Sequence, residues 1–206
     1  MLANIYIHRL LRAWQKLGLE SKLRARIINY ADDLVIVCRD GAAEALLWLR
    51  WIVERIGLRL NEAKTCVRAA RQEAFDFLGY TFAPMVHRLS GRTYLGVAPS
   101  KKRVQRFKQS LRTVLHAGNH EPLDEVVADV NRKLRGWAAY FSMGTLEPSY
   151  RIIDRYTSDL LRKFLVRRHK VPGRGTRRFG ERYLYETLGL VCLQKRRRLS
   201  RSHAVA

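Results

Sequence analysis

Between Ser100 and Phe164 the apolar residues of this chain recur at steps of three and four, in three successive runs. Val104, Phe107, Leu111 and Val114 form the first; Val126, Val130, Leu134, Trp137 and Phe141 the second; Ile153, Tyr156, Leu160 and Phe164 the third. That period lines each run along one side of an α-helix, and three such sides escape water by packing together. The breaks fall where helices start or stop. Ser100 suits an N-cap, Gly118-Asn119 a stop, and Pro122 a first helical residue. Everything after Pro99 is therefore predicted to be helical. Pro172 to Gly180, which contains Gly173-Arg174-Gly175, reads as a flexible linker. A short final helix is expected around Arg182–Leu190, and the basic tail from Lys195 is expected to fray.

The first hundred residues show a different pattern. Leu2, Ile5, Leu10, Trp14 and Leu17 give a helix over residues 1–19, stopped at Gly18. Asp40 is placed to cap a second helix that runs to about Ile56, with Gly57 as its stop. Leu58–Asn61 and Lys64–Arg68 are expected as short strands around a turn. Phe75–Phe82 alternates and is rich in aromatics, so it reads as one strand ended by Pro84. Ser90-Gly91 ahead of Thr93-Tyr94-Leu95 predicts a hairpin. The class is α+β, with antiparallel hairpins and helices followed by an all-helical part.

Within the first half, Tyr30-Ala31-Asp32-Asp33 stands between Ile27-Ile28 and Leu34-Val35-Ile36-Val37-Cys38. Two short β-branched runs around such a break predict a hairpin over residues 25–38. In a regular strand Asp32 and Asp33 would point to opposite faces, whereas at a turn they can converge. Adjacent carboxylates repel, and a divalent cation relieves that repulsion without protonation. A solvated turn is the plain alternative. The apolar flanks and the basic background weigh against it.

The background is strongly basic. Forty Lys and Arg against 18 Asp and Glu give a net charge of +22 and a pI near 10.8, which points to a polyanionic partner. Residues 101–206 carry +16 of that charge and residues 1–100 only +6. Residue 100 is thus a candidate boundary. Cys38, Cys66 and Cys192 are odd in number and unpaired by spacing, as expected of reduced, mostly buried thiols in a cytoplasmic compartment. The first nineteen residues hold no acid and include Arg9, Arg12 and Lys16, but lack the serines of an organellar presequence. His116 and His120 are separated by Gly118-Asn119, so a helical metal pair is rejected. Gly173-Arg174-Gly175 lacks the Lys-Ser/Thr of a phosphate loop.

Six segments, taken in order, resemble the group II intron reverse transcriptases, or intron maturases. Leu2–His8 resembles the helix after that family's Pro-Gln-Gly segment, and Tyr30-Ala31-Asp32-Asp33 its catalytic palm motif. Gly57–Thr65 resembles the next palm motif, Phe77-Leu78-Gly79-Tyr80 the primer-gripping strand, and Pro99-Ser100-Lys101-Lys102 the entry to the thumb. Gly136-Trp137-Ala138-Ala139-Tyr140-Phe141 resembles the signature of the maturase-specific domain. Asn29 departs from the family, which usually has Arg there. The family's fingers, and the palm strand with a third metal-binding Asp, would lie upstream of Leu2. No Cys- and His-bearing endonuclease module is expected downstream.

The resemblance implies the end of a reverse-transcriptase palm over residues 1–98, then a thumb and maturase-specific RNA-binding domain over 99–206. It implies two-Mg²⁺ nucleotidyl transfer, with Asp32 as the shared metal ligand and Asp33 supporting. Lys64 would serve the leaving pyrophosphate, its plain alternative being a surface lysine. Tyr30 would lie beside the primer terminus, or else be a buried strand tyrosine. Phe77, Leu78, Gly79 and Tyr80 would grip the primer. For RNA it implies Lys101, Lys102, Arg106, Lys108 and Arg132, together with Arg151, Arg155 and Arg162 on one face of the third helix. The implied partners are group II intron RNA and a DNA primer or target, with no membrane; the localisation is bacterial cytoplasm. Two readings stand side by side. One is a palm and thumb completed by a separate fingers-palm polypeptide and unable to polymerise alone. The other is a non-catalytic RNA-binding remnant that assists splicing.

Overall fold

A computed structural model of the protein describes residues 2–31, 33–87 and 90–194. Packing divides the chain after Glu73 into two units. Asp32, Arg88, Leu89 and the tail from Lys195 lie outside the described residues.

The first unit runs α1 (Leu2–Lys16), α2 (Leu19–Lys22), the hairpin β1 (Ala25–Tyr30) and β2 (Asp33–Cys38), then α3 (Ala42–Arg55). Leu10 and Trp14 of α1 meet Leu19, Leu23 and the α3 residues Ala45, Leu49 and Ile52 in one core. Each fully buried side chain of Leu or Ile size contributes roughly 1.5–3 kcal/mol. Ile5 and Leu17, expected on the same stripe, are exposed. Asp40 does not cap α3: Gly41, at φ 73°, stands at that position without a side-chain bond.

The hairpin pairs Ala25 with Cys38 and Tyr30 with Asp33, and Ala31 follows β1 as a turn residue. Ile27, Leu34, Ile36 and Cys38 pack toward the core. Alternation puts Arg26, Ile28, Tyr30, Val35 and Val37 on the other face, where Ile28 and Val37 are about half exposed. The segments 58–61 and 64–68 are not strands. A strand needs a neighbour to take its backbone groups, and none of the described strands pairs with them. The chain turns instead, with the Lys64 and Thr65 amides both donating to the Asn61 carbonyl.

The second unit opens with a three-stranded antiparallel sheet in the order β3 (Phe75–Phe77), β4 (Tyr80–Val86), β5 (Thr93–Pro99). The segment 75–82, expected as one strand, is a hairpin. Leu78 (φ 50°) and Gly79 (φ 80°) both occupy the left-handed region, which gives the tight loop that matches strand twist. Pro84 does not end β4. It pairs with Leu95 on one side, and β3 covers only Tyr80–Phe82 on the other, so its missing N–H faces an open edge. The hairpin after Ser90-Gly91 forms as expected.

Three helices complete the main framework: α4 (Lys101–Arg112), α5 (Leu123–Tyr140) and α6 (Glu147–Arg168). Ser100 caps α4 by accepting from the Arg103 amide. The first two apolar runs are buried, as their spacing predicts. In the third, Ile153 and Phe164 are buried and Tyr156 and Leu160 only half so, because the buried side runs through Thr157, Leu161 and Leu165. Pro172–Gly180 is a docked loop and not a free linker: Phe179 is buried, and its amide donates to the Gly175 carbonyl. A single π-helical turn, Tyr183–Thr187, takes the place of the expected final helix.

The sheet belongs to the helices. Tyr80 sits in the same core as Phe107, Trp137 and Phe141. Gly144 (φ 83°), in the α5–α6 loop, lies so close to β5 that a Cβ there would be 2.1 Å from the Val97 carbonyl oxygen. The Thr145 amide donates to that same carbonyl. Residue 100 therefore marks a change of charge, while packing divides the chain at Glu73. The architecture is α+β, with small antiparallel sheets and a helical part. No helix among the described residues is long and apolar enough to cross a membrane. Cys66 is exposed, contrary to expectation, and Cys38 and Cys192 are partly buried.

Candidate nucleic-acid interface

Two sets of residues bear on function, one in each unit. In the first, Asp33 is the leading residue of β2 and is exposed, on the face shared with Val35 and Val37. Convergence of Asp32 with it falls outside the described residues. Tyr30 is 63% exposed, so it is not a buried strand tyrosine. Ala31, next to it, adopts φ 52°, a region that costs a residue with a Cβ about 1 kcal/mol or more. Lys64 is exposed, and no hydrogen bond or ion pair joins it to Asp33 among the described residues. Its turn is held by Arg50 of α3, whose guanidinium donates to both Glu62 carboxylate oxygens at 3.1 and 2.8 Å. That hydrogen bonding lowers the Glu62 pKa and raises that of Arg50. No three His, Cys, Asp or Glu side chains among the described residues could hold a metal ion together.

In the second unit, the four residues expected to grip a primer form the β3–β4 turn. Phe77 ends β3, Leu78 and Gly79 make the loop, and Tyr80 is buried, its hydroxyl donating to the Tyr140 carbonyl at 2.9 Å. The Arg103 side chain crosses this loop, 2.9 Å from where a Gly79 Cβ would be. Sequence reasoning misses Arg103, which lies one residue past the Lys101-Lys102 pair.

The helices carry the cations. Lys101, Lys102 and Arg106 are exposed on α4. Lys108 places its ammonium 5.0 Å from the ring centroid of Tyr156 on α6, and the Arg112 guanidinium lies 5.7 Å from the same ring. The Arg112 Nε–H also donates to the Tyr156 hydroxyl. Cation–π contacts of this kind contribute about 0.5–1 kcal/mol at exposed sites. They order two flexible cations across the α4–α6 seam. Sequence reasoning misses Arg112 too, although it stands one turn after Lys108.

Arg151 and Arg155 are exposed on α6, but Arg162 does not join them. Its side chain is only 14% exposed, with Nε–H donating to the Phe179 carbonyl at 3.0 Å and a second nitrogen paired with Asp159. Helical spacing places it correctly; the docked loop covers it. Arg132 is exposed and paired with Asp129 at 2.8 Å. His116 receives the Gly118 amide on Nδ1, a local turn bond.

Two buried polar side chains carry no signal in the sequence. The Asn131 amide of α5 donates to the Gly189 carbonyl at 2.9 Å and accepts from the Val191 amide at 2.8 Å. Asp154 of α6 accepts from the Leu193 and Gln194 amides at 2.9 and 3.1 Å, and from the Gln194 side chain. A lone Asn or Asp in an amphipathic helix gives no sign of such partners. Beside Asp154, burial and then its charge push the Tyr185 hydroxyl up to about 12.

Comparison with curated proteins gives no match. The family model for the group II intron, maturase-specific domain matches residues 104–184, from within α4 to the π-helical turn. Within the second unit, residues 104–184 are therefore similar to the maturase-specific domain of group II intron maturases.

Proposed function

We propose that this protein binds group II intron RNA and assists its splicing. The observation that carries this reading is the match to the maturase-specific domain, with exposed cations along α4 and α6. Phosphates would be met by Lys101, Lys102, Arg106, Lys108, Arg112, Arg151 and Arg155. Such contacts release counterions, so affinity should fall steeply with salt. Arg132 joins them if RNA displaces Asp129.

The polymerase chemistry of the wider family is a second layer of the proposal. Asp32 and Asp33 are its candidate metal ligands, for Mg²⁺, with Lys64 near the pyrophosphate and Tyr30 and the 77–80 turn near the primer. The Tyr30–Asp33 turn offers two carboxylates, and two-metal transfer takes a fuller set of oxygen ligands. Primer extension on a DNA primer is therefore assigned to a palm completed by further segments, and the chain by itself is read as an RNA-binding protein.

Cross-linking the chain to RNA in its native host and sequencing the captured fragments tests the first layer. Fragments should concentrate on folded group II intron segments. An even spread over messenger RNA would refute the reading. For the second layer, the purified chain with Mg²⁺, primer and RNA template should incorporate no nucleotide. Incorporation lost in Asp32→Ala would show a complete metal site.

A further inference from the structure

We propose that the docked loop of residues 171–179 continues the RNA-binding side of α6, with Arg174, Arg177 and Arg178 meeting phosphates where Arg162 is turned inward. This rests on the RNA-binding reading above and adds a second contact region to it.

The first support is where the loop sits. At about 100° per residue, helix positions 151, 155 and 162 fall within about 40° of one another. Arg151 and Arg155 are exposed on that side, while the Arg162 Nε–H donates to the Phe179 carbonyl at 3.0 Å. The backbone at Phe179 is therefore within one arginine's reach of that side, about 10 Å along the axis from Arg155. Arg177 and Arg178, the two residues before Phe179, are exposed.

The second support is that the loop is held. The Val171 amide donates to the Val166 carbonyl at 3.0 Å, and the Phe179 amide to the Gly175 carbonyl at 2.8 Å. Phe179 is buried, with its ring 5.7 Å from that of His169. Gly175 (φ 66°) comes so close to α6 that a Cβ there would be 2.3 Å from a Val166 methyl. Arg162 is thus one anchor among several, and its loss alone leaves the others in place. Cations on a fixed loop lose less freedom on meeting phosphates than cations on a free tether.

The third support is charge. Between Asp159 and Glu181 the chain has eight Lys and Arg and no Asp or Glu. Elsewhere in this unit exposed arginines are matched by an acid one turn away, Arg132 by Asp129 and Arg182 by Glu186. No ion pair among the described residues involves Arg174, Arg177 or Arg178. Like charges gathered on a closed loop repel, and a polyanion supplies the missing counter-charge. The planar guanidinium fork suits phosphate oxygens.

The test uses the full chain and a labelled RNA stem-loop of mixed sequence, with affinity measured from about 50 to 300 mM salt. Changing Arg174, Arg177 and Arg178 together to Gln should weaken binding about tenfold or more and make the logarithmic salt slope shallower by about 2–3, as for three lost phosphate contacts. Changing Arg9, Arg12 and Lys16 of α1 to Gln removes the same charge elsewhere and should leave the slope nearly unchanged. Equal losses in the two triple variants would reduce the effect to net charge and overturn the proposal. Gly175→Val keeps every cation but drives a side chain into Val166. It should lose several-fold in affinity in the native background and nothing further beside the three loop Gln changes. Equal losses in both backgrounds would make the docking a packing device and overturn presentation of the arginines by the loop. If Gly175→Val fails to fold, the two triple variants, whose altered side chains are all exposed, still decide the proposal. Native RNA affinity in the loop variant, with binding to anionic phospholipid vesicles lost, would assign the loop to a membrane surface and overturn it. Absence of any RNA binding by the native chain would instead remove the reading on which this rests.

Discussion

The hydroxyl of Tyr80 donates to the Tyr140 carbonyl and the hydroxyl of Tyr140 donates to the Leu78 carbonyl, both at 2.9 Å, so each tyrosine fastens the backbone of the other's segment. Their rings stack with centroids 6.4 Å apart. The tight β3–β4 loop is thereby tied to the end of α5. Two sequence motifs about sixty residues apart form one structural joint.

Tyr80→Phe leaves the Tyr140 carbonyl without its donor in a largely buried place. It should cost about 1–2 kcal/mol by urea denaturation. Tyr140→Phe should cost less than about 1 kcal/mol, because that side chain is half exposed and water replaces its bond. Equal costs would show that burial does not separate the two bonds in energy.

The arginines of α6 should separate by role. Arg151→Gln with Arg155→Gln should lower RNA affinity and flatten its salt dependence while leaving the thermal midpoint within a degree or two. Arg162→Gln should do the reverse: it frees the Phe179 carbonyl, lowers stability by about 1–3 kcal/mol and leaves the salt slope unchanged. A shallower slope for Arg162→Gln alone would put it back among the RNA contacts.

Asn131→Ala removes both ends of its clasp at once. The Val191 amide should then exchange with solvent at least tenfold faster, while amides in the middle of α5 stay protected. Unchanged exchange at Val191 would show that Leu190 and Leu193 hold the segment without help.

Ala31→Gly should raise stability by about 0.5–1 kcal/mol by relieving the positive φ, read as slower amide exchange in β1 and β2. Destabilisation would show that the Ala31 methyl makes contacts worth more than the strain.

Tyr185 gives a pH signature. Burial first, and the Asp154 charge second, raise its hydroxyl from the ordinary 10.0 to about 12. The folded state favours the neutral phenol. Native and unfolded chains both hold the proton below pH 10, and between pH 10 and about 12 the unfolded chain releases it while the folded state keeps it, which favours the unfolded state. Stability therefore declines through that window. Absorbance titration at alkaline pH should show one late-titrating tyrosine, lost in Tyr185→Phe. If that variant shows the same alkaline loss of stability, another group is responsible.

Legibility from sequence tracked the range of the forces. The stripe Val104–Phe107–Leu111 is readable because helical burial is periodic and local, and Ser100 caps α4 as expected for the same reason. The Leu78-Gly79 loop is not, since Leu rarely adopts a positive φ, and only pairing of Phe77 with Tyr80 makes it worthwhile. Residues 58–68 look extended, but extended residues need a partner that local sequence does not announce. Arg162 lies on the expected face and is claimed by a loop seventeen residues later. Asp154 and Asn131 are silent for the same reason: their partners are distant in sequence.

The approach of Gly144 to Val97 also bears on the order in which the protein takes shape during synthesis. The sheet strand is made almost fifty residues before the loop that closes over it. Until that loop has left the ribosome, the helix-facing side of β5 waits uncovered, and the helices made in between have only one another. Division of the gene at the change of charge would separate strand from lid permanently. A cut after Glu73 lets both be made on one chain.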